Sequence, residues 1–157
     1  MRILMLSWEY PPRIVGGIAR HVEELSWDLA NIPGNEVHVV TCEYPGAPAE
    51  ETYKNVYVHR VAPYPAPGGH KDFIHWVHQL NAAMRDRAHA LCRQWLAPRS
   101  RSTALRDPKK LAEKDGIILH AHDWLAFFSA VELKYAYKLP LVRTVVRRTL
   151  LAAKERA

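Results

Sequence analysis

Cysteine is scarce in this 157-residue sequence: there are two, Cys42 and Cys92. Nothing in their spacing suggests a bridge or a metal site, and each falls in a strand-like or helix-like apolar segment, so both read as buried thiols. Long apolar runs are missing too. The first, RILMLSWEY, is too short to span a bilayer, runs straight into prolines and is followed by no small-residue cleavage site. No membrane span is expected, and cytoplasmic placement follows as the expectation. Acidic residues are in deficit, 16 against 22 Lys and Arg, for a formal charge of +6 and a pI near 9.5. Much of the excess falls in PRSRSTALRDPKK and RRTLLAAKERA, without the interleaved aromatics that stack bases. These read as solvated basic segments and no nucleic-acid partner is expected, although the charge suits phosphorylated ligands and anionic polymers.

What is present is enough for one globular core, with 48% hydrophobic residues over a length typical of a single domain. Two periods alternate along it. RILMLSW is a continuous apolar run suited to a strand buried on both faces, and Pro11 and Pro12 forbid a helical continuation. From Gly17, apolar residues at Ile18, Val22, Leu25 and Leu29 describe a helix with one buried stripe. PGN breaks it and EVHVVTC follows as a second buried strand; NVYVHRVAPYP is a further strand beside the second, and PYPAPGGHKD a turn.

A long amphipathic helix is expected from Phe73 to Leu96, with Arg85, Asp86 and Arg87 on its charged face. The polar, breaker-rich APRSRSTALRDPKKLAEKDG reads as a loop holding at most a short helix. IILHAHDW is then a third buried strand, LAFFSAVELKYAYK a helix and LPLVRTVV another strand. Strands alternating with helices of this length imply an α/β, doubly wound, mainly parallel sheet with helices on both faces. Ligands in such sheets gather at the carboxyl ends of the strands.

Two clusters fall at that edge. Gly16 and Gly17 stand just before the first helix, where free backbone N–H groups and the helix dipole favour an anion and missing Cβ atoms let a phosphate approach. The alternative is a glycine corner that simply packs tightly between strand and helix. GGIARH lacks the third glycine of the dinucleotide fingerprint. At the other cluster, His120 and His122 alternate along a strand and so share a face. Asp123 follows them, with a helix expected to start at Trp124 that Asp123 would cap. His122 is either a crevice ligand or a satisfied core histidine. H-x-H with no further carboxylate or cysteine pair nearby does not make a metal site, and none is assigned.

Together these stretches carry a resemblance. RILMLSWEYPPRIVGGIARHVEELSWDLA, NEVHVVTC and IILHAHDWLAFFSAVELKYAYKLPLV resemble the N-terminal domain of retaining glycosyltransferases of the GT-B fold, in the family 4 group and close to glycogen and starch synthases. The likeness covers residues 1–145 and implies a Rossmann-like N-terminal half of a GT-B enzyme, with 146–157 as a basic helical tail outside the pattern. It implies a nucleotide-sugar donor such as ADP-glucose or UDP-glucose, a glycan acceptor, no cofactor, and retention of configuration. His122 then contacts the transferred sugar as the catalytic candidate. Gly16, Gly17 and Asp123 lie at the donor's phosphates and sugar, and Glu9 and Tyr10 are acceptor-side candidates. Ile14 stands where glycogen synthases usually carry lysine, which is nearer to the general family 4 pattern.

The second Rossmann-like domain that such enzymes use to hold the nucleotide sugar is not among these residues. The expectation is therefore an acceptor-side domain that does not turn over alone, whose partner is a C-terminal GT-B half or a second copy of the chain. The alternatives are a non-catalytic glycan-binding or partner-binding module, and a truncated gene product.

Overall fold

A computed structural model describes residues 1–63, 70–97 and 116–145. The elements begin with β1 (Arg2–Ser7), α1 (Gly17–Ala30) and β2 (Glu36–Cys42), and continue with β3 (Glu50–Tyr53) and β4 (Val56–Val61). The remainder is α2 (His70–Leu96), β5 (Ile117–His122), α3 (Phe127–Tyr137) and β6 (Leu141–Thr144). The proline-glycine turn after β4, the basic loop before β5 and the tail expected over 146–157 lie outside the described residues.

The strands form one sheet in the order β3-β4-β2-β1-β5-β6, parallel throughout except that β3 runs antiparallel to β4. Alternation along β1 divides the core. Leu4 and Leu6 join Val40, Leu119 and Ala121 beneath α2 and α3, where Trp76, Leu80, Met84 and Leu133 pack. Ile3 and Met5 join Val37, Val39, Val56 and Val58 beneath Ile18 and Val22 of α1. Burial on both faces explains why β1 reads as an unbroken apolar run. Cys42 and Cys92 are buried and unpaired, and burial pushes their thiols up to about 11 and about 12.

Chain order fixes where a ligand fits. The chain leaves β1 over α1 towards β2 and β4, then returns over α2 to β5 on the opposite side of β1. The loops that follow β1 and β5 therefore diverge and leave a crevice between them, the switch point at which open α/β sheets bind ligands.

Two elements differ from the sequence expectation. β3 was not anticipated, because Glu50–Tyr53 has no apolar alternation; it is joined to β4 by Lys54 and Asn55, both at positive φ (49° and 64°) as a two-residue hairpin turn requires. Lys54 Nζ lies 4.3 Å over the Trp27 ring and 3.7 Å from Glu23, which docks this hairpin on α1. The last helix begins at Phe127 rather than Trp124, with Ala126 at its N-cap, a residue whose own side chain cannot cap it.

Candidate functional site

The crevice is assembled from the ends of β1 and β5. Ser7, the last residue of β1, stands in register with His122, the last of β5, which in turn stands beside Thr144 of β6. Beyond Ser7 the chain folds back on itself: Arg13 N donates to Tyr10 O at 2.9 Å, and Ser7 Oγ donates to Glu9 O at 2.7 Å. The prolines between them make this return possible by barring a helix.

Gly16 and Gly17 close the loop and are both exposed. Gly16 is extended (φ −148°, ψ −163°), a conformation open to any residue. A Cβ on Gly17 would meet nothing within 4 Å, and one on Gly16 only Glu9 Oε1 at 3.8 Å. Neither backbone strain nor close packing within the chain asks for glycine here. The tight-corner alternative therefore finds no neighbour to pack against, and the surface over the start of α1 is open.

His122 is 1% exposed, and neither of its ring nitrogens has a hydrogen-bond partner. Its ring lies 4.0 Å from that of His120, on the same face, and 5.6 Å from that of His21 of α1. Burial, then the neighbouring His120 and His21, holds its pKa down to about 3. His122 is thus a neutral imidazole at ordinary pH, able to donate one hydrogen bond and accept another. His120 is held below its ordinary value by burial and by His21, and its Nε2 lies 2.8 Å from Thr144 Oγ1.

The His21–His122 contact brings the two sequence clusters together. His21 and Thr144 were not singled out in the sequence. The signal for His21 was its place one helical turn beyond Gly17, on the face shared with that glycine; for Thr144 it was register, which becomes visible only once β5 and β6 are paired.

The remaining candidates have other placements. Tyr10, expected on the acceptor side, packs in the core under α1, where its hydroxyl lies 3.2 Å from Ser26 Oγ. Glu9 is also buried, its Oε2 accepting from Val15 N at 2.8 Å and Gly16 N at 2.7 Å. Asp123 caps no helix: at φ 66° it accepts from Trp124 N at 2.7 Å, and it stands three residues before the N-cap Ala126. Arg13, the cation of the loop, lies with its guanidinium over the Trp8 and Trp76 rings, at 5.4 and 5.8 Å. Among the described residues no group of three or more His, Cys, Asp and Glu side chains is placed to hold a metal, and no helix is long and apolar enough to cross a membrane.

One family model, described as the starch synthase catalytic domain, matches residues 2–146. The chain belongs to this family. Among curated relatives, this starch synthase-type domain is 32% identical to an uncharacterized glycosyltransferase of Methanocaldococcus jannaschii over 145 residues, 92% of the chain and 30% of that protein. It is 31% identical to a glycogen synthase of Mycobacterium tuberculosis, over 92% of the chain and 33% of that enzyme. The domain thus spans about a third of the length of these relatives. In fold it is similar to a sucrose-phosphate synthase from Thermosynechococcus elongatus, with a TM-score of 0.59 at 17% identity, covering 92% of this chain and 32% of that one.

Proposed function

We propose that this domain is the acceptor-side half of a nucleotide-sugar-dependent glycosyltransferase of the glycogen and starch synthase type, inactive until a donor-binding half closes over it. The observation that carries the reading is the open surface over Gly16 and Gly17 beside a buried His122 with both ring nitrogens unpartnered. A buried polar ring without a partner is costly, and a ligand hydroxyl in the crevice would relieve that cost. In this reading the first amides of α1 face the donor's phosphates, His122 holds a hydroxyl of the transferred sugar, and Asp123 lies at the rim. ADP-glucose or UDP-glucose is the donor and an α-glucan the acceptor. The finer placement with family 4 enzymes rests on Ile14 alone, and cytoplasmic placement on the lack of a membrane-spanning run.

With Tyr10 in the core, the acceptor is better received in the open cavity of about 270 Å³ at the carboxyl ends of β2 and β4, lined by Glu43, Tyr44 and Arg60 among others. Arg60 donates to Pro11 O at 2.7 Å, which ties this cavity to the loop after β1. Transfer breaks the bond between the sugar's anomeric carbon and the diphosphate and makes one to an acceptor oxygen, with loss of that hydroxyl's proton. The leaving diphosphate must be stabilised by charges set in place beforehand. A helix N-terminus and a neutral imidazole supply only part of that stabilisation, which is why the domain is expected not to turn over alone.

The test is calorimetric titration with ADP-glucose, UDP-glucose and a maltooligosaccharide, with glycosyl transfer assayed in the same samples. Oligosaccharide binding with weak donor affinity and no turnover is the expected result. Donor-dependent turnover by this chain would overturn the requirement for a second half. Failure to bind any of the three would remove the acceptor-side role.

A further inference from the structure

We propose that Glu9 is a positioning residue that holds the glycine loop in shape and confines anion contact to the amides at the start of α1. The phosphate half of this inference rests on the reading just given; the loop half does not. Ile14 and Val15 are 52% and 63% exposed, so packing of their side chains does little to hold the loop. Gly16, at the N-cap, has no side chain with which to cap the helix. Both tasks fall to a carboxylate that reaches forward from Glu9, is 2% exposed, and accepts from Val15 N and Gly16 N through one oxygen. Hydrogen bonds to an ionised acceptor are about twice as strong as neutral ones, and a carboxylate at the positive end of a helix is favoured by the dipole. Ser7 Oγ fixes the backbone of Glu9 from the strand side. The loop is thereby referenced to the end of β1, where Ser7 pairs in register with His122.

This arrangement has a consequence for ligands. The Val15 and Gly16 amides are already engaged, so an anion over the loop is left with those of Gly17 and Ile18. The Glu9 carboxylate, 3.8 Å from where a Gly16 Cβ would stand, repels it from the Gly16 side and steers it towards α1. His21, one helical turn beyond Gly17, lies 5.6 Å from the unpartnered ring of His122.

Amide NMR of the whole chain tests both halves. Inorganic pyrophosphate added to the unaltered protein should shift the Gly17 and Ile18 amides and leave Val15 and Gly16 in place. In Glu9→Gln, exchange of the Val15 and Gly16 amides should speed up by about 10- to 100-fold, the loss expected for hydrogen bonds to a charged group. The pyrophosphate shifts should spread to these two amides in the variant, which a purely structural role would not produce. Protection of the Met5 and Val39 amides reports whether the variant still folds. Unchanged exchange at Val15 and Gly16, or the largest pyrophosphate shifts falling on them in the unaltered protein, would overturn the proposal. Should pyrophosphate move no amide at all, the phosphate subsite fails, and exchange alone decides the role of Glu9 in the loop.

Discussion

His122 illustrates how a single residue can be legible in identity yet not in state. Its place at the end of a buried run, before an aspartate and a tryptophan, made it a candidate for the crevice with a core histidine as the alternative; that its ring is neutral depends on burial and on His120 and His21, contacts set by the paired sheet and by α1. The neutral state has a measurable cost in acid. The folded pKa of about 3 lies below the ordinary 6.5. Between these values the unfolded chain binds a proton that the native ring refuses, so stability is full above the ordinary value and falls as pH drops towards the folded one. Each pH unit in that window is worth about 1.4 kcal/mol from this ring, or about 2 kcal/mol by pH 5. His38, His59 and His120, also held down chiefly by burial, add to the slope. In urea unfolding, His122→Asn should reduce the loss of stability between about pH 7.5 and about pH 5 by roughly 2 kcal/mol relative to the unaltered protein. Equal slopes for the two would mean that the imidazole is not held neutral.

Elements were legible where the side chains that make them lie in the same stretch, and hidden where they do not. β1, β2, β5 and α2 carry their own apolar periods. β3 does not: Glu50 pairs with His59 of β4 and Arg87 of α2, and Glu51 with Arg60, so this edge strand is fastened by ions contributed from elsewhere. Arg87, expected on the charged face of the long helix, is one of those partners. The start of α3 misled for a similar reason. Asp123 sits where a local cap would, yet the helix is fixed by Asn81 of α2, whose Oδ1 accepts from Ser129 N at 3.0 Å while Nδ2 donates to Leu125 O at 2.6 Å and Val77 O at 2.9 Å. A cap supplied from 48 residues away leaves no mark beside the helix it serves. Asn81→Ala strands the Ser129 amide and the Leu125 carbonyl in the core and should cost about 2–3 kcal/mol. Asp123→Asn keeps both an acceptor and tolerance of positive φ, and should stay within about 0.5 kcal/mol of the unaltered protein. Equilibrium denaturation compares the two directly, and a larger cost at Asp123 than at Asn81 would return the cap to its local candidate.

At the scale of the whole molecule, the two cores are not independent. They lie on opposite faces of one sheet and share its central strands: β1 sends Leu4 and Leu6 to one and Ile3 and Met5 to the other, and β2 divides Val40 and Cys42 from Val37 and Val39. Loss of either layer of helices would bare a sheet face whose centre is apolar, so neither half has a stable existence apart from the other. The same sharing makes the crevice rigid. β1 and β5, which present Ser7 and His122, are each paired on both sides, and the loop after β1 is braced by Glu9. Leu80 of the α2 side and Met5 of the α1 side are both fully buried. Truncating either to alanine should cost about 2–5 kcal/mol. Both variants should shift one common urea transition, seen alike by tryptophan fluorescence and by far-ultraviolet circular dichroism, with its denaturant slope unchanged. A transition that splits in either variant, or a slope that falls, would mean that the α1 face and the α2–α3 face unfold separately, and that the crevice between β1 and β5 is not a rigid seat for a ligand.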